Sequence, residues 1–165
     1  MERWYGYVDK NILNYYGIKD KKLWLFDTFG EFPASDVNEK DAQIHSITKL
    51  LFNKQYNVVD NFKKFDLLDD NIYFIKGLFE DTIPVMKRNK IKTLSILRLD
   101  CDYYEPTMLI LENYYKMVVK NGCVIIDDYN NPYLGCKAAV DDFRKRYNIT
   151  NRIVNKGNGC VYWIV

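Results

Sequence analysis

Short apolar blocks that end on an acidic residue or a glycine recur along this chain: LWLFD (23–27), NIYFIKG (71–77), KTLSILRLD (92–100) and CVIIDD (123–128). Blocks without polar alternation suit strands buried on both faces of a parallel sheet. Parallel neighbours need long crossovers, and helical spacing fills the intervals. Tyr7, Val8, Ile12, Leu13 and Tyr16 lie on one face of an opening helix that Gly17 can cap. Val58, Val59, Phe62, Phe65 and Leu68 mark a second helix, with Asp60, Lys63 and Lys64 on its outer face. Pro84 stands where a short helix can start. A crossover helix begins near Pro106, carries Met108, Leu109, Leu111, Tyr115 and Val118 on one face, and stops at Asn121 and Gly122. The last helix, 136–147, turns Ala139, Val140 and Phe143 inward. Strands at 153–154 and 160–165 then meet across GNG, a hairpin turn. Turn signals at Gly30, Pro33 and Ser35 lead into a polar stretch, 36–54, read as loop with some helix. The expectation is a doubly wound α/β domain with a mostly parallel sheet and a C-terminal antiparallel hairpin.

Such a sheet binds ligands at the carboxyl ends of its strands, where Asp27, Gly77, Asp100 and Asp127 fall. Bulk properties narrow the rest. The 165 residues fit one domain, 1–165, and with 48% apolar residues it can bury a core. Lysine plus arginine number 24 against 22 aspartate plus glutamate, scattered rather than clustered, which gives no reason to expect a nucleic-acid partner. Cys101, Cys123, Cys136 and Cys160 form no C-x-x-C pair and suit buried free thiols of a reducing compartment. The single histidine, His45, sits in polar surroundings and is expected to be solvated. No apolar run is long enough to span a membrane, and MERWYGYVDK has charges where a signal peptide has its apolar segment. The expected address is the cytoplasm.

Asp100 and Asp102 lie two residues apart past one strand, and Asp127 and Asp128 are adjacent past the next. Two carboxylates 4 Å apart repel by roughly 4 kcal/mol at an effective dielectric near 20, so this quartet calls for a cation or a shared proton. Oxygen-only ligands favour Mg²⁺, or another hard divalent cation, over zinc. A hard cation can hold a substrate diol while a spare carboxylate takes its proton. The competing interpretation is that Asp102 caps the next helix and the Asp127–Asp128 pair starts a turn. Asp141 and Asp142, a further pair, are expected on a solvated helix face.

With these residues in view the chain resembles the macrocin O-methyltransferase (TylF) family. The resemblance runs from about Tyr16 onward through LWLFDTFGEFP, VVDNFKKFDLLDDNIYFIKGLFEDTIP, LSILRLDCDYYEPT, GCVIIDDY, GCKAAVDDF and GCVYW. It implies a Rossmann-like methyltransferase sheet, S-adenosyl-L-methionine as cofactor, Mg²⁺, and a small hydroxylated substrate, a sugar. It also implies that Asp100, Asp127 and Asp128 ligate the metal and that Asp102 is the general base. Asp27 would bind the cofactor ribose, with Gly77, Phe79, Glu80 and Asp81 beside the adenine. By local sequence, Asp27 is equally a turn aspartate, and Gly77 to Pro84 a capped helix start.

The departure is at the front. The family carries a central first strand and a GVWRGG-like turn on the methionine side of the cofactor, where this chain begins MERWYGY. A truncated domain lacking that strand would leave two ladder edges unpaired, or pair the flanking strands directly. A metal-dependent O-methyltransferase acting on a sugar or small polyol hydroxyl is the first expectation. The alternatives are a non-catalytic remnant or subunit, associating with its own copy or with a companion N-terminal segment, and a metal-dependent hydrolase or phosphoryl-transfer enzyme without a phosphate-cradling loop.

Overall fold

In the computed structural model, which describes residues 5–29, 58–132 and 135–165, the apolar blocks are strands and the spaced segments between them are helices. The chain divides into two compact units: of the described residues, 5–29 and 58–78 belong to the first, the rest to the second. His45, Pro33, Ser35 and the polar stretch 36–54 lie outside the described residues.

The first unit comprises α1 (Tyr5–Tyr15), β1 (Leu23–Asp27), α2 (Val58–Lys64) and β2 (Ile72–Lys76). Gly17, at φ 64°, ends α1 as expected, with Gly17 N–H donating to the Asn14 carbonyl and Ile18 N–H to Leu13. That is a Schellman cap. The same cap ends α2 earlier than its spacing suggests: Asp66 takes the left-handed position at φ 54°, and Leu67 N–H reaches back to the Phe62 carbonyl. Phe65 and Leu68 therefore leave the helix face and are exposed. No glycine marks this stop, so the sequence pattern ran past it.

β1 and β2 are parallel, from Leu23 opposite Ile72 to Asp27 opposite Lys76. One face of the pair lies on Phe62, Leu67 and Val58, with the rings of Phe62 and Phe74 edge to face at 5.5 Å. On the other, Trp24 stacks on its cross-strand neighbour Tyr73 at 4.3 Å. Lys10 of α1 is 4% exposed and pairs with Asp69, ahead of β2.

The second unit comprises α3 (Phe79–Asn89), β3 (Leu94–Leu99), α4 (Tyr104–Tyr114), β4 (Val118–Ile126), α5 (Cys136–Arg146), β5 (Val154–Gly157) and β6 (Cys160–Ile164). Its strand order is β3-β4-β6-β5, parallel between β3 and β4 and antiparallel beyond. In register, Leu97, Val124 and Trp163 form one buried row, and Leu99, Ile126 and Val161 the next. α4 packs between α3 and α5. Rows of the opposite sheet face run Ile96, Cys123, Ile164 and Arg98, Ile125, Tyr162; Ile96 is 54% exposed there. The hairpin closes through Asn158 and Gly159, both at positive φ, as a type I′ turn requires.

Three boundaries differ from the sequence pattern. α3 starts at Phe79, so Pro84 sits inside the helix rather than at its start, forgoing one backbone bond. α4 ends at Tyr114, and after a 3₁₀ turn at Tyr115–Met117, Val118 is a buried strand residue opposite Leu94. Asn121 and Gly122, read as helix stops, lie in an irregular stretch of β4 where the register jumps from Leu94–Val118 to Ile96–Cys123. Among the described residues, β1 pairs only with β2 and β3 only with β4.

A Cβ on Gly122 would stand 2.6 Å from Val118 Cγ1 and 2.7 Å from the Val119 carbonyl oxygen. Gly122→Ala should therefore cost about 1–3 kcal/mol, as overpacked sites do, measured by urea unfolding. Asp69 is held below its ordinary value of 3.8, chiefly by the hydrogen bond from Lys10. Its stabilising contribution is present above that ordinary value and lost as pH falls through the lowered one. Because Asp69 is half-exposed, Asp69→Asn should cost only about 1 kcal/mol at neutral pH. The gap to wild type should close in acid, read from urea midpoints across pH.

Candidate functional site

β3 and β4 deliver the carboxylates. Leu99 pairs with Ile126, and Asp127 N–H donates to the Leu99 carbonyl at 2.9 Å, so both chains leave the sheet together. Asp100, Asp102 and Asp128 each bring one carboxylate oxygen within 4.8 Å of the others. Ligands of a single hard cation at about 2.0–2.6 Å take such separations. The donor set has no sulfur or imidazole, as such a cation prefers.

Two of the three occupy strained backbone. Asp102 has φ 62° and Asp128 φ 54°, a region that costs most L-residues roughly 1–2 kcal/mol and that aspartate tolerates. Tyr103 N–H donates to the Cys101 carbonyl at 2.6 Å, closing a three-residue turn around Asp102. Asn131 N–H donates to the Asp128 carbonyl, and Asn130 N–H to Gly159 in the β5–β6 hairpin. A Cβ on Gly159 would lie 3.4 Å from Asp128 Cα, so the hairpin tip backs this loop closely.

Asp127 is placed differently from the expected ligand set. It is 4% exposed and turns to Arg98, whose Nε donates to Oδ2 at 2.8 Å and Nη2 to Oδ1 at 3.2 Å. The observed cluster thus contains Asp102 where the resemblance implied Asp127. Arg98 was missed in the sequence, although one arginine inside LSILRL was a signal. Burial, then the charge of Asp127, pushes the Cys160 thiol up to about 11, and burial raises Cys101 further. All four cysteines are free.

Asp141 and Asp142 are exposed on α5, as expected of a solvated helix face, and each also accepts side-chain hydrogen bonds. Asp141 Oδ1 accepts from Tyr129 Oη at 2.5 Å and Oδ2 from Lys137 Nζ at 2.6 Å, while Asp142 Oδ2 accepts from Tyr104 Oη at 2.8 Å. Lys137 Nζ also reaches Tyr129 Oη at 3.3 Å and lies 4.5 Å from its ring centre. Burial, then the bond to Asp141, raises the Tyr129 phenol, which keeps it a donor. At the N-terminus of α5, Cys136 N–H donates to the Asp102 carbonyl at 2.9 Å and its thiol to Asp128 at 3.5 Å.

Of the residues expected to hold the cofactor, Asp27 and Gly77 stand side by side at the ends of β1 and β2, with Gly77 N–H donating to the Asp27 carbonyl at 3.1 Å. Asp27 Oδ1 accepts from Phe29 N–H at 3.0 Å and from Thr28 Oγ1 at 3.3 Å. Asp27 therefore does act as a turn aspartate. Among the described residues both donors use Oδ1, and a carboxylate has acceptor capacity beyond two bonds. Gly77 has φ 144°, a conformation other residues rarely take, so glycine is required there. In the second unit, Phe79 and Asp81 lie in the first turn of α3.

The profile of the family described as Macrocin-O-methyltransferase (TylF) matches residues 6–164. Demethyldecarbamoylnovobiocin O-methyltransferase of Streptomyces niveus is 34% identical over 160 residues, 93% of this chain and 59% of that protein. Mycinamicin III 3''-O-methyltransferase of Micromonospora griseorubida is also 34% identical, over 93% of this chain and 61% of that protein. A third relative, from Streptomyces olivaceus, is 8-demethyl-8-(2,3-dimethoxy-alpha-L-rhamnosyl)-tetracenomycin-C 4'-O-methyltransferase, 33% identical over 92% of this chain and 58% of its own length. The chain thus spans about three fifths of these relatives. Among solved structures, the O-methyltransferase NovP superposes with a TM-score of 0.83 at 33% identity, over 96% of this chain and 66% of that one. The calicheamicin methyltransferase CalS11 shares the fold, with a TM-score of 0.75 at 20% identity, over 94% of this chain and 65% of that one.

Removing Arg98 would leave Asp127 buried without its cation. Arg98→Ala should cost about 3–5 kcal/mol, the range for breaking a buried ion pair. Arg98→Ala with Asp127→Ala should recover part of that loss, and a double-mutant cycle of urea midpoints measures the coupling.

Proposed function

Because the chain belongs to the macrocin-O-methyltransferase (TylF) family, we propose that it acts as an S-adenosylmethionine-dependent, divalent-cation-dependent O-methyltransferase on a sugar or small polyol hydroxyl. The observation that carries this proposal is the convergence of Asp100, Asp102 and Asp128 within 4.8 Å beyond the carboxyl ends of β3 and β4. A relative named for a rhamnosyl acceptor supports the sugar. No helix among the described residues is long and apolar enough to cross a membrane.

Asp100 and Asp128 belong both to the observed cluster and to the ligand set the resemblance implies, and they would hold the cation. Asp127 would add a third carboxylate only by giving up Arg98. Asp102, 7% exposed at the same point, accepts the proton of the acceptor hydroxyl. When bound, the cofactor supplies an electrophilic methyl group and the cation lowers the acceptor pKa. In the first unit Asp27 Oδ2 would accept from the ribose hydroxyls and Gly77 would let the backbone pass close to the cofactor; in the second, Phe79 and Asp81 would offer a ring face and an acceptor for adenine. The cofactor would give its methyl group to the acceptor oxygen and leave with the electron pair on sulfur, while Asp102 would hold the proton.

Isothermal calorimetry of the purified chain checks this. Mg²⁺ should bind with measurable heat that Asp100→Asn and Asp128→Asn abolish, and S-adenosylmethionine should bind in a manner that Asp27→Ala weakens. No heat for either ligand overturns the proposal for this chain. In the active protein, Asp102→Asn should lower kcat by about 10²–10⁴-fold, the usual worth of a general base.

A further inference from the structure

The acidic cluster is expensive to hold. Three carboxylates lie within 4.8 Å, and two of them sit at positive φ. Strained residues persist only where their surroundings over-determine them. The loops bearing Asp102 and Asp128 come from different strand ends, so something must fix their spacing while the cation is absent.

We propose that Asp141 and Asp142 of α5 are positioning residues that hold the two carboxylate-bearing loops in register, Asp141 through Tyr129 and Asp142 through Tyr104. Tyr129 directly follows Asp128, and Tyr104 comes two residues after Asp102. Each tyrosine ends on the neighbouring carboxylate of one helix, at 2.5 Å and 2.8 Å. The N-terminal turn of that helix binds the same two loops a second time, Cys136 N–H donating to the Asp102 backbone carbonyl and Cys136 Sγ to the Asp128 backbone carbonyl. The Asp128 loop, and the Asp102 loop with the start of α4 that follows it, are thus each fixed to a single rigid element at two heights. Lys137, one turn ahead of Asp141, orients the Asp141 carboxylate and lies over the Tyr129 ring, which is 8% exposed.

Exposed carboxylates seldom add much stability. Their effect here is on geometry: a cluster whose loops are already held in place binds a cation without first ordering them. Outer partners of this kind are worth about 10–100-fold in metal affinity.

The inference rests on the cation site proposed above, and the test separates the two. Mn²⁺ alone is titrated into the full chain and followed by electron paramagnetic resonance, which reports the free ion. Wild type should bind. Tyr129→Phe and Asp141→Ala should each weaken binding about 10-fold, the double variant no more than either single, and Asp141→Asn, which still accepts from the phenol, should restore most of the affinity. Tyr104→Phe, Asp142→Ala and Asp142→Asn should repeat this pattern. Urea midpoints should move little, which distinguishes positioning from a loss of fold; if an alanine variant does not fold, the phenylalanine variants carry the comparison. Wild-type affinity in the tyrosine variants overturns the positioning role and leaves the cation site standing. No Mn²⁺ binding by wild type overturns both.

Discussion

The fork between Arg98 and Asp127 is the contact on which the candidate site depends. Four carboxylates emerge from the ends of two neighbouring strands, and an ionised group as buried as Asp127 is costly unless it is paired. Arg98, one register row back on β3, reaches across to β4 and satisfies both oxygens. That pairing cancels one of the four charges and ties the two strand ends side by side. Asp100, Asp102 and Asp128 each bring a carboxylate oxygen to one point beside it, where a divalent charge would offset their mutual repulsion.

Local backbone does the rest. Asp102 and Asp128 leave the extended conformation of their strands through left-handed turns, which swing their carboxylates back toward Asp100. Aspartate is suited to this because its short polar side chain tolerates positive φ. Turns of this kind are held from outside: by α5 through Cys136, Asp141 and Asp142, and by the hairpin tip at Gly159 behind Asp128. The hairpin therefore serves two purposes. It finishes the sheet edge and supports the loop that carries the acid pair.

The first unit follows a similar logic with fewer charges. Parallel pairing brings the ends of β1 and β2 together, and the bond from Gly77 N–H to the Asp27 carbonyl fixes the two positions against each other. Beneath them Phe62 anchors α2 to the sheet. β1 and β3 each keep an unpaired edge among the described residues, in a chain that covers about three fifths of its relatives. Unpaired edges are sites for further strand pairing.

Strand blocks, the glycine cap of α1, the Asn158–Gly159 hairpin and the acids at strand ends were all legible in the amino-acid order, because each is set by neighbours a few residues away. The pairs that sort the acids were not. Arg98 meets Asp127 across 29 residues, and Tyr104 meets Asp142 across 38. Spacing along the chain could bring four aspartates to one rim. Only the register of β3 on β4 and the packing of α5 decided which three share a point and which one is neutralised. The early stop of α2 at Asp66 and the bulge that needs Gly122 were hidden for the same reason: a left-handed aspartate and a close approach to Val118 depend on backbone geometry that tertiary contacts select. The sequence by itself determined the fold class and placed the chemistry at the carboxyl ends of the strands. The tertiary structure decided the partner of each carboxylate, since charge pairing acts through space rather than along the chain.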